Sequence, residues 1–301
     1  MDFKAFEEYC KTQKIEYRLN EPMNLHTSFK IGGPADIFVS VCSKEQLANA
    51  ILKLNELEIP YFILGKGSNL LVSDKGIEGV VINTLNLNDI SVDGEYVTAQ
   101  TGVSLASVCV TALENSLSGL EFAFGIPGAV GGALYMNAGA YGGEISQVVA
   151  SAEYIYKDGS IKQIKAEDMC LGYRTSIFKD KEMVITSVTF KLTKGEKLQI
   201  KAAMDDFLLR RKTKQPLEYP SAGSTFKRPE GYFAGALIEK NNLKGASVGG
   251  AMVSPKHAGF IINYKNATCS DVWALMQKVS DTVYLNDGVK LCPEVIFVGR
   301  E

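Results

Sequence analysis

Apolar positions along the chain change their spacing from one segment to the next, and the spacing assigns the elements. Residues 44–57 repeat at helical intervals, with Leu47, Ile51, Leu54 and Leu57 on one face, which predicts an amphipathic helix. Short apolar runs at 36–41 and 61–64 (Tyr-Phe-Ile-Leu) read as strands, and another follows at 79–82. This alternation fits a small α/β unit of about 85 residues.

From residue 90 the texture changes. Residues 90–100 carry a hairpin pattern with Asp93-Gly94 at the turn, and 104–117 fit a helix. Strands are predicted at 153–156 and 160–164 around Asp158-Gly159, and at 183–192, which is rich in Val, Ile and Thr. The Lys/Glu-rich segment 194–214 reads as a helix ending in Arg210-Arg211-Lys212 and leading to a separate C-terminal unit. Residues 215–224, with Pro216, Pro220 and Gly223, are loop-like. Beyond them the pattern predicts a helix near 231–240, a strand at 258–263, a long helix at 270–286 and a last strand at 291–298. There is no internal repeat, low-complexity segment or long linker.

Composition narrows the function classes. A chain of 301 residues exceeds one average domain. The expected division is 1–88, 89–200 and 201–301. A net charge of −2 supplies no general attraction to nucleic acid or an anionic membrane. A phosphorylated ligand is then expected to be held by locally placed cations and backbone amides. Charges at Asp2, Lys4, Glu7 and Glu8 stand where a secretory signal would need an apolar run, and no stretch is apolar enough to span a bilayer, so a cytoplasmic location is expected. Six scattered cysteines without a CxxC pair, and only His26 and His257, give no expectation of a metal site or disulfide framework. The cysteines are expected to be buried as small apolar residues.

Glycines carry the first sign of chemistry. Seven lie between Gly125 and Gly143, and Gly65 and Gly67 follow the apolar run 61–64. Such loops let backbone approach a ligand and present N–H groups to phosphate. A phosphate-binding P-loop is excluded because Lys66 is followed by Gly67, and the Rossmann fingerprint because position 70 is Leu. Glycine density alone leaves tight structural turns and a ligand site equally open.

Gly65-Lys66-Gly67-Ser68-Asn69-Leu70 resembles the first flavin-phosphate loop of the vanillyl-alcohol-oxidase and p-cresol-methylhydroxylase type of FAD-binding domain. Gly125-Ile126-Pro127-Gly128 through Gly132, continuing to Asn137 and Gly139, resembles its second. In local wording the pair is similar to the UDP-N-acetylenolpyruvoylglucosamine reductase family, and Thr27 to Ala35 matches that family's lead-in to the FAD domain. The resemblance runs from about Asn24 to Val298. It implies an α+β protein with a two-part FAD-binding domain, about 29–193, and a C-terminal α+β substrate-binding domain. It also implies FAD and NADPH as cofactors and a small sugar-nucleotide substrate. No nucleic-acid or membrane partner is expected, and the chain is expected to be a monomer or weak oligomer.

Reducing an enol ether that bears a carboxylate needs hydride at the terminal carbon, stabilised charge on the carboxylate and a proton at the adjacent carbon. Three segments supply such groups. Tyr173-Arg174-Thr175-Ser176-Ile177-Phe178 resembles the family's arginine signature, which implies that Arg174 holds the substrate carboxylate, with Tyr173 beside it. Ala222-Gly223-Ser224-Thr225-Phe226-Lys227 matches the loop of the proton donor, implying Ser224 as the acid with Lys227 or the reduced flavin assisting. By itself Ser224 could equally cap the next helix, and Phe226 excludes a Gly-x-Ser-x-Gly hydrolase elbow. Leu291-Cys292-Pro293-Glu294-Val295 matches the glutamate signature. By itself Glu294, at the head of an apolar strand, could equally face water or, entering an apolar environment, keep its proton and donate a hydrogen bond; the resemblance implies the catalytic role.

Lys214 and Arg228 are expected at the substrate diphosphate, while His257 and Asn263 lie in a family-like motif. One branch of the family inserts a covering loop after the arginine segment. The spacing here leaves no room for it, so the chain resembles the shorter, second type. Two other readings stand beside this one. A sugar or alcohol oxidase on the same fold often tethers FAD to a histidine, and neither glycine loop holds one. A nucleotide-binding regulator would not need Arg174, Ser224 and Glu294 together.

Overall fold

In the computed structural model, which describes residues 1–179 and 182–301, the chain divides into two compact units. The first comprises residues 1–18, 37–66 and 79–210; the second comprises 19–36, 67–78 and 211–301.

Two cores build the first unit. Helices α1 (Phe3–Thr12) and α2 (Lys44–Glu56) bury Phe6, Cys10, Leu47, Ile51 and Leu54 against Ile37, Val39, Val80 and Ile82. Those last four lie on a sheet whose strand order is Glu16–Pro22, Pro34–Ser40, Ile77–Asn83 and Tyr61–Leu64. Strand Tyr61–Leu64 runs parallel to its neighbour, and Thr84 donates to the Leu64 carbonyl through both its N–H (3.0 Å) and its hydroxyl (3.2 Å). That double bond fixes the point where the chain enters Gly65.

The second core lies on a five-stranded antiparallel sheet ordered Ile161–Lys165, Val149–Tyr156, Met183–Lys191, Tyr96–Gln100 and Ile90–Asp93. Alternation brings Val97, Ala99, Val188 and Phe190 to one face. There they meet Leu105, Val108 and Ala112 of α3 (Leu105–Glu114), Leu134 of α4 (Val130–Tyr135) and Met204 of α5 (Lys197–Lys214). The 90–100 hairpin and the 153–156/160–164 pair therefore form as their patterns predict, but as parts of one sheet. The boundary of the unit falls inside α5, after Arg210.

In the second unit α6 (Ala234–Lys240) and α7 (Cys269–Asp287) pack on the sheet Ser247–Val248, Ala251–Val253 and Ile261–Asn263, burying Ile238, Val272, Leu275 and Val279. Two expected strands are shorter than predicted. The 258–263 strand begins only at Ile261, because Gly259 and Phe260 donate their N–H groups to His257. The 291–298 strand is confined to Ile296–Val298, parallel to Leu70–Val72. Its first half contains Pro293, which has no N–H to donate, and Glu294 gives its own to Thr225. Glu294 thus lies in a loop ahead of the strand.

The start of α7 shows how the early part of the chain serves this unit. Asp74 accepts the N–H groups of Cys269 (2.7 Å) and Ser270 (2.9 Å), and Thr268 with Asp271 forms a capping box. The first three helical N–H groups are thereby satisfied. All six cysteines are free thiols. Burial pushes Cys10 and Cys109 up to about 12 and Cys269 up to about 11. Cys42, Cys170 and Cys292 are exposed, against the expectation that all would be buried. Among the described residues, no helix is long and apolar enough to cross a membrane.

Removing the carboxylate in Asp74→Ala should lower stability by about 1–2 kcal/mol, read as a lower urea midpoint at unchanged slope. An unchanged midpoint would mean that the capping box alone secures the helix.

Candidate active site

Gly65 approaches the second glycine stretch within the first unit. A Cβ on Gly65 would lie 3.6 Å from the Ala129 side chain. The second stretch is tied down by Val130 N–H to Val103 O (2.8 Å), Gly131 N–H to Thr101 O (2.9 Å) and Leu105 N–H to Gly128 O (3.2 Å). A Cβ on Gly131 would sit 1.9 Å from Thr101 Oγ1, so position 131 is glycine for packing, whereas Gly132 faces open space. The sequence singles out Gly132 and passes over Gly131, whose constraint is visible only in three dimensions.

Gly67 adopts φ +59°, is buried, and would place a Cβ 2.2 Å from the His26 carbonyl. Among the described residues, the N–H groups of Lys66, Gly67, Ser68, Asn69 and Gly132 have no protein acceptor. Bare backbone donors of this kind suit phosphate oxygens, so the residues present in each unit fit FAD. Leu70 is buried at the start of the strand Leu70–Val72 and acts through packing. Ile126 is partly buried against the second core, and Gly125 and Pro127 lie on the bend leading into α4.

Asn137, expected at the cofactor, has its side-chain amide engaged within the protein. Its side chain is fully buried at φ +43°, donates to Gly172 O (3.1 Å) and accepts from Ser146 N–H (2.9 Å). It therefore ties the glycine stretch to the arginine segment. There Gly172 and Thr175 exchange backbone hydrogen bonds across a tight turn with Tyr173 and Arg174 at its tip. Arg174 has φ +55°, its guanidinium reaches Gly139 O (3.4 Å), and it lies 5.1 Å from the centre of the exposed Tyr173 ring.

In the second unit the structure brings together three segments far apart in sequence. Thr225 donates its N–H to Gly259 O (2.9 Å) and accepts from Glu294 N–H (2.8 Å), and Lys227 N–H bonds Cys292 O (2.8 Å). Phe226 and Pro293 form the bridge between. Ser224, exposed, and Glu294, half-buried, are thereby held on adjoining strands of backbone. Asn69 of the first glycine loop joins them, donating from Nδ2 to Glu294 O (3.3 Å) while its own carbonyl accepts from Ile296. Lys214 is the exposed last residue of α5, the Lys227 side chain is exposed, and the Arg228 guanidinium stacks on Phe233 at 3.9 Å. Asn263 is a structural tie, donating to Phe29 O (3.2 Å) and accepting from Ala267 N–H.

His257 supports the same cluster. Its Nδ1 accepts the Gly259 N–H (3.1 Å), and Gly259 O in turn receives Thr225. Burial, and to a smaller degree Lys244, holds its pKa below the ordinary 6.5, against weaker raising effects of its backbone hydrogen bond and Glu239.

The comparisons agree with this anatomy. Residues 35–165 match the model of an FAD binding domain, and residues 215–298 that of the UDP-N-acetylenolpyruvoylglucosamine reductase C-terminal domain. The fold and its glycine loops define an FAD-dependent oxidoreductase with an α+β, two-part FAD-binding domain of the vanillyl-alcohol-oxidase type. The chain is 50% identical over 299 residues to a UDP-N-acetylenolpyruvoylglucosamine reductase of Clostridium perfringens (strain SM101), covering 99% of this chain and 98% of that protein. It is 52% identical over 283 residues to one from Clostridium botulinum (strain Hall), covering 94% and 92%. The solved reductase of Thermus caldophilus superposes with a TM-score of 0.81 at 34% identity, covering 94% of this chain and 98% of that one. The chain belongs to the UDP-N-acetylenolpyruvoylglucosamine reductase family.

Two outcomes test the site's framework. Gly132→Ala adds a methyl to open space inside a helix and should leave the flavin-free protein as stable or about 0.5–1 kcal/mol more stable, yet weaken FAD retention. Gly131→Ala should destabilise the protein whether or not flavin is present. Urea titration and flavin release separate the two. For His257, the unfolded chain binds the proton at higher pH than the folded one, so its contribution is complete above about 6.5 and is lost as pH falls below that value. His257→Asn, which keeps an acceptor near the Nδ1 position, should flatten the stability–pH curve between 6.5 and lower pH. An unchanged slope would assign the loss to other groups.

Proposed function

We propose that the chain reduces UDP-N-acetylglucosamine enolpyruvate to UDP-N-acetylmuramate, in the cytoplasm, with electrons from NADPH. FAD, when bound, supplies the hydride relay between the two substrates. The observation that carries the reading is the second-unit cluster, in which a hydroxyl (Ser224) and a carboxyl (Glu294) are fixed on neighbouring backbone by the Thr225–Glu294 hydrogen bond.

The roles follow from charge and proton demand. Arg174 pairs with the substrate carboxylate and stabilises the negative charge that spreads into it once hydride reaches the terminal carbon. Glu294 adds a hydrogen bond to the same charge. The Ser224 hydroxyl delivers the proton to the adjacent carbon, and the exposed Lys227 ammonium, three residues away, lowers the cost of the alkoxide left behind. Gly65 to Asn69 and Gly125 to Gly132 hold the cofactor diphosphate through backbone donors. Lys214 and Arg228 face the diphosphate of the sugar nucleotide, as expected of the short-loop type, with Tyr173 beside the carboxylate. Three cores whose residues fall mainly within 1–88, 89–200 and 201–301 support the three-part division, with Phe29, Ile31 and Leu71 of the first range joining the third core. The chain works as a monomer or weak oligomer.

The purified protein should be yellow, and NADPH should bleach it, with colour returning on addition of the enolpyruvyl sugar nucleotide. A colourless protein without substrate-dependent NADPH oxidation would sink the reading. Ser224→Ala should still be bleached by NADPH while product formation falls by about 10²–10⁴-fold. Failure of the bleaching step itself would remove Ser224 from the proton-donor role.

A further inference from the structure

Arg174 is held in a backbone conformation that an arginine does not adopt unaided. At φ +55° it lies in the left-handed region, which is unfavourable for a residue with a side chain and persists only where neighbours over-determine it. The turn's own hydrogen bonds, Gly172 with Thr175, are long at 3.2 Å each. Something stronger must set the orientation of the peptide that follows Arg174.

Lys179 supplies it. Its ammonium donates to the Arg174 carbonyl oxygen at 2.6 Å, a charge-assisted bond to the very peptide whose orientation the turn leaves weakly held. The same ammonium lies 5.6 Å from the centre of the Tyr135 ring, within cation–π range. Tyr135 ends α4, which the second glycine stretch opens, and its carbonyl accepts the buried Ser176 hydroxyl at 2.8 Å. Lys179 thus links the arginine turn to the helix that follows the glycine stretch.

We infer that Lys179 is a positioning residue whose bond to the Arg174 carbonyl, braced on the Tyr135 ring, aims the Arg174 guanidinium at the substrate carboxylate. The inference rests on the role proposed for Arg174. Loss of the bond lets the Arg174–Thr175 peptide rotate and carries the guanidinium away from its carboxylate partner. The damage is then confined to ligands that possess that carboxylate.

The test compares binding of UDP-N-acetylmuramate, which carries the carboxylate, with UDP-N-acetylglucosamine, which lacks it. Calorimetric titration is run on the flavin-loaded protein and on Lys179→Met and Lys179→Arg. The methionine variant should bind UDP-N-acetylmuramate at least tenfold more weakly and UDP-N-acetylglucosamine within twofold of the parent. Its reoxidation by the enolpyruvyl substrate should slow by about 10²-fold, with NADPH bleaching unchanged. The arginine variant, which keeps a cation for both the carbonyl and the ring, should recover most of the loss. Equal affinity of Lys179→Met and parent for UDP-N-acetylmuramate, or equal weakening for both ligands, would overturn the inference. Should the methionine variant fail to retain flavin, Lys179→Gln is read by the same comparison. A parent protein that binds neither sugar nucleotide would instead overturn the proposed function.

Discussion

Val130 N–H to Val103 O and Gly131 N–H to Thr101 O press the second glycine stretch against the loop before α3, and both bonds require that position 131 carry no side chain. From that contact the first unit follows. It fixes the start of α4, and the end of α4 supplies Tyr135 and, just beyond it, Asn137 and Gly139, the groups to which the arginine turn is tied. With a net charge of −2 the chain cannot hold a dinucleotide by bulk attraction. What the glycine stretches offer instead is backbone N–H groups without a protein acceptor.

The second unit solves a different problem with the same means. Ser224 and Glu294 are 70 positions apart in sequence and are joined by main-chain hydrogen bonds through Thr225 and Lys227. Main-chain bonds at Thr225 and Lys227 set where these two residues stand along the backbone. His257 acts at one remove, through Gly259, and its reluctance to take a proton keeps the support intact near neutrality.

How much of this was legible in the sequence depended on the kind of residue. Helix α2 and the long helix α7 showed because their apolar positions recur at helical spacing, and the glycine loops showed through wording shared with a family. Helix α1 and the strand Glu16–Pro22 were passed over, since charged residues dominate there and only Phe6, Cys10 and Glu21 are deeply buried. The 291–298 strand was overcalled because an apolar run gives no hint that its N–H groups are used elsewhere. The tie from Asn137 to Gly172 was not legible, because a motif records that an asparagine is present and not where its amide points. Gly131 and Lys179 were invisible for the same reason, since the demands on them come from Thr101 and from the Arg174 carbonyl.

The parallel pairing of Leu70–Val72 with Ile296–Val298 also has a meaning in time. Asn69 meets the Glu294 carbonyl across a separation of 225 residues. On a ribosome adding about 5–20 residues per second, the strand that follows the first glycine loop emerges long before its partner exists. Its buried leucines must wait exposed for on the order of ten seconds or more, so the first glycine loop is among the earliest parts made and among the last to be tied down. The loop is therefore held in its final place only in a finished chain.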